Sequence, residues 1–521
     1  MKAAGKRKTV LTALFMLAVL LTPWGSVAAE TLADVDAEIQ SDPTPVRVSG
    51  QDAYNVYQGV TPARLIRKLN VLTASGVVNF ASAGNLNNFY SFTGLAGVTD
   101  TKIEVKTTTS SLRLYRRGSS SVKETQSYLR SWWGDKYRGI EASRNEQAIL
   151  AAWGSDLNRI YVIDVPAGVT VIGGLAAPME KNGEYRAGGA YQYWYRGAQL
   201  GWLVYALYAP DYLESYGSAV TGAQKLGQLS LTDIGETLAQ LRYHSDPDSQ
   251  ETVWMRFYGG YSRYPAGNGN EFGIHYDGLH GGYNKLVKGR AANERDRMNM
   301  GVFIGRGGVS QQDVVSGVTN DVTNVYAGIY SLYQWAPDQP RSWYGSASVL
   351  YGHLRFNNQV PGEMGYGLKQ SYSGNIFAAA LETGLTFRRS DDWIIEPQLQ
   401  LTYTKILQND FNDNLGARIH LQQGDSLMGG LGLRLSREFK NQAGRNGNVR
   451  LQVNYFHALR NRNELDVAGD PVTFAGGKNV YRINVGGLYP LGRLMNMEGN
   501  IGKIFGEERG WFGSLSLRGN W

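Results

Sequence analysis

The sequence predicts a chain in two structural parts, a C-terminal transmembrane antiparallel β-barrel preceded by an N-terminal α+β domain. Three observations predict it: a secretory leader, strands of strict apolar and polar alternation repeated through the second half, and a cysteine-free composition rich in glycine and tyrosine.

Residues 1–29 begin basic, run apolar from Val10 to Leu21 and end on small residues at Val27 and Ala29 before Glu30. That is the pattern of a cleavable signal peptide, and the apolar run is too short to span a bilayer comfortably. The 521 residues contain no cysteine, which excludes disulfide staples, thiolate catalysis and Cys-ligated metals. Gly 65 and Tyr 32 are high counts and charged residues make up only 19%, a balance that favours β-structure with many turns. The net charge of +7 permits an anionic surface as a neighbour. No Lys/Arg run is dense enough to point to nucleic acid.

The alternation is plainest in EPQLQLTYTK, residues 396–405, where Glu396, Gln398, Gln400, Thr402 and Thr404 alternate with Pro397, Leu399, Leu401 and Tyr403. It recurs in VRLQVNY, where Val449, Leu451, Val453 and Tyr455 oppose Arg450, Gln452 and Asn454, and in YRINVGGLY, residues 481–489. In WFGSLSLRGNW, Leu515, Leu517, Gly519 and Trp521 share one parity and Ser514, Ser516, Arg518 and Asn520 the other. Soluble sandwiches alternate as well. Repetition over about 270 residues, aromatics near strand ends and a secretory leader favour an outer-membrane barrel, whose closure leaves no backbone edge in lipid. A mean hydropathy of -0.32 agrees, because barrel strands are half polar.

Before the first strand, LSLTDIGETLAQLRYH places Leu231, Ile234, Leu238 and Leu241 at helical spacing, with Ser230 and Asp233 in a capping-box pattern. The helix leads into ETVWMRFYGGYSRY. From here to the end the chain resembles the autotransporters of type V secretion, through VWMRFYGG, DWIIEPQLQLTYTKI, GDSLMGGLGLRLSREF and the terminal Trp521. The resemblance implies about twelve strands, a helix threading the pore, outer-membrane lipid and the barrel-assembly machinery as partners, and a passenger delivered to the cell surface or secreted. The expected division is 1–29 signal peptide, 30–225 passenger, 226–250 linker and pore helix, and 251–521 barrel. Gly424-Asp425-Ser426-Leu427 spells a nucleophile motif of esterases, but it opens an alternating strand and no Asp-x-x-His follows; it reads as a hairpin turn.

Any chemistry falls to the passenger, which has no histidine, since all six lie at or after His244. Histidine bases and His-ligated metals are thereby excluded from it. Its informative stretches run in order: LRLYRRG (112–118), a strand ending in Arg116 and Arg117; a helix from about Arg144 to Trp153 followed by IYVIDVP and VTVIGG; then NGEYRAGG (182–189) and QYWYRG. This order resembles the ADP-ribosyltransferase toxins of the cholera, heat-labile enterotoxin and pertussis type. By that resemblance Tyr115 and Arg116 would bind NAD, Ser143 would fall in the Ser-Thr-Ser region, Asn182 would orient the acceptor and Glu184 would be the catalytic carboxylate. Where the family has Ser-Thr-Ser this chain has Glu141-Ala142-Ser143. The implied activity is NAD-dependent mono-ADP-ribosylation of a host-cell protein acceptor, with NAD as substrate and no metal. The chemistry is coherent: a fixed carboxylate stabilises the ribosyl cation, and a guanidinium fork grips pyrophosphate. Two alternatives stand beside it, a catalytically inactive transferase-like passenger and a non-enzymatic adhesin using NNFYSF and YQYWYRG. In both, Ser143 belongs to a helix start and Glu184 to a solvated turn. Trp132, Trp133, Trp153 and Trp194 are expected in the core.

Overall fold

A strand greasy on one face and polar on the other can cross lipid only if both of its edges are paired, and the second half of the chain meets that demand by closure. In the computed structural model, residues 89–90, 104–120, 132–176, 179–195, 198–243, 251–265, 271–287, 295–389 and 392–520 are described. The signal peptide and Trp521 lie outside them. Twelve antiparallel strands, from Glu251–Pro265 to Arg509–Asn520, form a closed barrel in which the last pairs with the first. The parity follows the sequence. Leu399, Leu401, Leu451, Val453, Ile483, Leu515 and Leu517 are exposed on the outer face, whereas Gln398, Arg450, Gln452, Asn484, Ser516 and Arg518 are buried in the lumen. Exposed Trp335 and Trp343 face each other across a hairpin end, at the level expected for an aromatic girdle.

The lumen is filled by a helix, α2, spanning Ala209–Tyr243, 35 residues. It starts well before the expected linker at residue 226, because Ser230 is not its cap. Ser230 Oγ bonds back to the Leu226 carbonyl at 2.9 Å and meets Tyr258 Oη, and Asp233 turns to the wall, accepting from Arg256 Nε at 2.8 Å. The capping-box pattern is thus a pair of lumen contacts in mid-helix. Its glycines set the fit: a Cβ at Gly227 would lie 2.6 Å from Ile376 Cδ1, and one at Gly217 would strike the Phe474 ring. Ser426, of the esterase-like motif, is buried in the barrel strand Asp425–Lys440 and accepts from Gln228 Nε2 of α2.

Ahead of α2 lies an antiparallel sheet in the order Phe89–Tyr90, Thr170–Ala176, Tyr191–Trp194, Trp132–Gly134, Leu112–Gly118, Arg159–Val165, Leu203–Tyr208, with Glu104–Thr107 also on Thr170–Ala176. The expected strands LRLYRRG, IYVIDV and TVIGG are present. The expected helix is shorter and earlier: α1 is Ile140–Glu146, and Ala151–Trp153 is a separate 3-10 turn. Trp133 and Trp194 are core residues, but Trp153 is 49% exposed.

This domain sits on the barrel mouth. Leu203–Tyr208 passes into α2 without a loop, and Ala206 N–H donates to Tyr366 O of a barrel loop at 2.9 Å. Two other barrel loops build a four-stranded sheet of Phe411–Asn412, Arg418–Gln423, Asn463–Val467 and Asp470–Phe474. One apolar cluster joins all three parts: Tyr137, Ile160 and Val162 of the domain, Tyr212 and Tyr216 of α2, and Leu415, Ile419 and Val467 of the loops.

Candidate functional site

NGEYRAGG is a hairpin. Asn182 and Gly183 take φ of 54° and 80° between Lys181 and Glu184, the two left-handed residues of a tight two-residue turn. Asn182 is therefore a turn residue with an exposed side. Glu184 accepts from the backbone N–H groups of Ala151 at 3.0 Å and Ala152 at 3.1 Å, and from Arg186 Nε at 3.0 Å. The two backbone N–H groups, aided by Arg186, hold its carboxyl below the ordinary carboxylate range. It thus ties the hairpin to the 3-10 turn. The segment after the hairpin packs its backbone on α1: Gly188 N–H donates to Asn145 O at 2.9 Å and Ala190 N–H to Glu146 O at 2.8 Å.

Ser143 lies inside α1 and is fully buried, its Oγ 3.5 Å from Arg138 O. Arg186 links Glu184 to the other side of α1, donating to Glu141 Oε1 at 2.9 Å. Residues 141 and 143 stand about 200° apart on a helix. Ser143 and Glu184 therefore meet opposite faces of α1 and share no pocket. Tyr115 and Arg116 lie on Leu112–Gly118, paired with Val162 and Tyr161. Tyr115 packs on the cluster shared with the barrel.

The residue the sequence reading passed over is Arg117. Its guanidinium is buried, with Nε donating to Arg138 O and Nη1 to Leu157 O at 3.2 Å each, and Nη2 to Tyr137 Oη at 2.6 Å and Asp470 Oδ2 at 2.7 Å. Asp470 belongs to the barrel's Asn463–Phe474 hairpin, and its Oδ1 also accepts the Ile140 N–H at 2.6 Å. Burial pushes the Asp470 carboxyl up while Arg117 pulls it down. The doublet Arg116-Arg117 flagged the strand, but only the fold shows which member faces inward.

The lumen holds a second polar cluster, around α2. Arg256 bridges Asp233 and Glu498 at 2.8 and 2.9 Å; Arg450 joins Glu498 at 2.5 Å and Glu236 at 3.2 Å; Arg242 reaches Glu396 at 3.2 Å and stacks 3.6 Å from the Tyr344 ring centroid. These are side chains of helix and wall neutralising one another, a plug rather than a reaction centre. Among the described residues no group of His, Asp and Glu could hold a metal ion.

A closed twelve-stranded barrel plugged by a helix, with the preceding domain on its mouth, defines an outer-membrane barrel protein. Residues 253–502 match the family model described as the autotransporter beta-domain. The C-terminal part matches such a domain, an outer-membrane barrel of the type V secretion kind. Pertactin autotransporter of Bordetella bronchiseptica is 28% identical over 122 residues, 23% of this chain and 13% of its own length, so the chain spans only a small part of that relative. The uncharacterized protein YdeU of Escherichia coli K12 is 24% identical over 323 residues, 58% of this chain and 67% of its own. Among solved structures, the translocator domain of autotransporter NalP from Neisseria meningitidis matches 57% of this chain and 96% of its own at 13% identity, with a TM-score of 0.44.

Proposed function

We propose that this autotransporter displays its passenger rather than shedding it, holding the sheet domain that precedes α2 on the mouth of the barrel that exported it. The observation that carries this is the loopless passage of Leu203–Tyr208 into α2. A cut within α2 would have to reach a helix whose residues from Ala209 to Arg242 are all buried or half-buried. Fractionation of intact cells tests it. The domain is expected in the outer membrane, covalently joined to the barrel; a separate passenger fragment in the medium would overturn the reading. Lipid and the barrel-assembly machinery are the partners such a barrel requires.

A second reading concerns what the displayed domain does: it is an NAD-dependent mono-ADP-ribosyltransferase acting on a host protein. The Glu184 to Arg186 to Glu141 link ties the proposed carboxylate to α1, on the face opposite Ser143. In its favour are Tyr115 and Arg116 on an inner strand of the domain's eight-stranded sheet, Glu184 lying on a separate two-stranded hairpin. Against it stands the engagement of both Glu184 oxygens by the 3-10 turn, which favours an inactive or adhesive passenger. NAD hydrolysis by the purified full chain decides. If Glu184 is catalytic, Glu184→Gln lowers turnover by about a hundredfold or more, and Arg116→Ala weakens NAD binding first. Absence of hydrolysis in the parent protein leaves the binding-module reading.

A further inference from the structure

The barrel closes where its last strand, Arg509–Asn520, pairs with its first, Glu251–Pro265. Along that closure the outward residues change in kind toward the end that carries the domain. Phe257 and Leu515, which are Cα partners, and Ile501 on the neighbouring strand Met495–Gly506 are exposed and apolar, the upper edge of the lipid-facing belt. One step higher Gly259 and Gly513 face each other and present no side chain. Above them come Tyr261 opposite Trp511, then Arg263 opposite Arg509, while Lys503 of the neighbouring strand pairs with Trp511. Three outward cations thus stand on three adjacent strands, within roughly 10 Å at ordinary strand spacing. Their charge is incompletely balanced. Arg509 donates to Glu271 at 2.8 Å, but among the described residues neither Arg263 nor Lys503 meets an acid. Arg263 Nε donates to Tyr261 Oη at 2.5 Å, and Lys503 Nζ lies 5.0 and 5.2 Å from the Trp511 and Phe505 ring centroids. Like charges directly opposite on a sheet repel. An anion between them turns that repulsion into a clamp. Asp277, exposed beside Gly259 on the opposite flank, confines the positive field to the Lys503 side.

We propose that Lys503, Arg263 and Arg509 bind the phosphate of an outer-leaflet lipid, its headgroup seated against Trp511 and Tyr261 and its acyl chains on the belt below. The column of side chains, apolar then aromatic then basic, follows the order hydrocarbon, interface and phosphate of a bilayer leaflet. Two guanidinium forks and an ammonium match a phosphate in charge and in acceptor oxygens. The apolar belt directly beneath selects a lipid over the free ion. The inference rests on the domain-bearing end of the barrel facing outward, not on retention of the domain, because a shed domain leaves the closure where it is.

The test uses the full chain in neutral detergent and native mass spectrometry, with diphosphorylated lipid A as probe. Lipid A stripped of its phosphates and inorganic phosphate are the comparisons. Arg263→Gln with Lys503→Gln is expected to lower retention of the probe at least about tenfold, whereas Lys369→Gln with Lys405→Gln, exposed cations elsewhere on the outer face, leaves it unchanged. Arg263→Lys with Lys503→Arg keeps the charges and restores binding. Equal retention by parent and Arg263→Gln/Lys503→Gln overturns the site, and an equal loss in Lys369→Gln/Lys405→Gln overturns its placement at the closure. Undiminished binding of the stripped lipid overturns the role of phosphate. Inorganic phosphate held as tightly as the lipid overturns the lipid assignment. Heat-modifiable migration confirms that each barrel has assembled; should the double variant fail that check, Lys503→Gln alone makes the comparison at an exposed side chain. A domain found in the medium with lipid binding intact sinks display and leaves the site.

Discussion

Barrel and passenger use the same ingredients, arginine and carboxylate on antiparallel sheet, under opposite conditions. In the lumen Arg256, Arg450 and Glu498 are sealed from water and each charge meets its counter-charge. On the passenger, Arg113 and Asp164 form a two-pronged pair at 2.8 Å, but with side chains 42% and 35% exposed. The difference teaches where such pairs matter. Buried, the removal of one partner strands the other; in water, solvent takes its place.

Breaking this contrast at its strongest point gives the largest effect. Glu498→Ala leaves Arg256 and Arg450 short of a carboxylate and is expected to cost about 3–5 kcal/mol, read as a lower heat-modification temperature of the barrel. Next comes the seam between the regions. Asp413 accepts from the Leu415 and Ala417 N–H groups and from Tyr212 and Tyr216 Oη. Asp413→Ala orphans buried donors and is expected to cost about 1–3 kcal/mol or more, seen as faster trypsin cleavage of residues 408–424 with the barrel itself intact. The exposed pair is smaller: Arg113→Ala should change stability by no more than about 1 kcal/mol, and less at high salt. A loss comparable to that of Glu498→Ala would erase the contrast.

The smallest effect is a pH dependence. The carboxyl of Glu184 is depressed by the Ala151 and Ala152 N–H groups, so its hold on the 3-10 turn is present above the ordinary glutamate pKa and is lost as pH falls through the lower, folded value. Amide exchange at Ala151 and Ala152 should accelerate on acidification in that window, relative to amides elsewhere in the domain. Glu184→Gln should remove the pH dependence. An unchanged profile would mean that Glu184 is not the clamp.

What could be read from sequence follows the same divide. A lipid-facing strand must alternate, so Leu399, Leu451 and Leu515 declare their side before any coordinates exist. The start of α2 could not be read that way. Tyr212, Tyr216, Ala219 and Ala223 are buried apolar residues, but Ser215, Ser218 and Gln224 are buried too, because a helix enclosed by a polar wall has no wet face to mark its period. In the passenger, order in sequence suggested that Ser143 and Glu184 share a pocket, whereas α1 turns them to opposite faces. Arg117 was invisible as a special residue because its partner lies in a hairpin that only closure of the barrel brings near.

The central claim is that the exported domain stays seated on the mouth of its own barrel. Arg159 of the domain and Glu363 of a barrel loop meet there at 2.5 Å, and the chain has no cysteine to interfere. With cysteines at both positions, Arg159→Cys and Glu363→Cys, a short bis-maleimide added to intact cells is expected to join the two sites within one chain in most of the outer-membrane protein. Efficient labelling of each single variant with no cross-link in the pair would contradict the account.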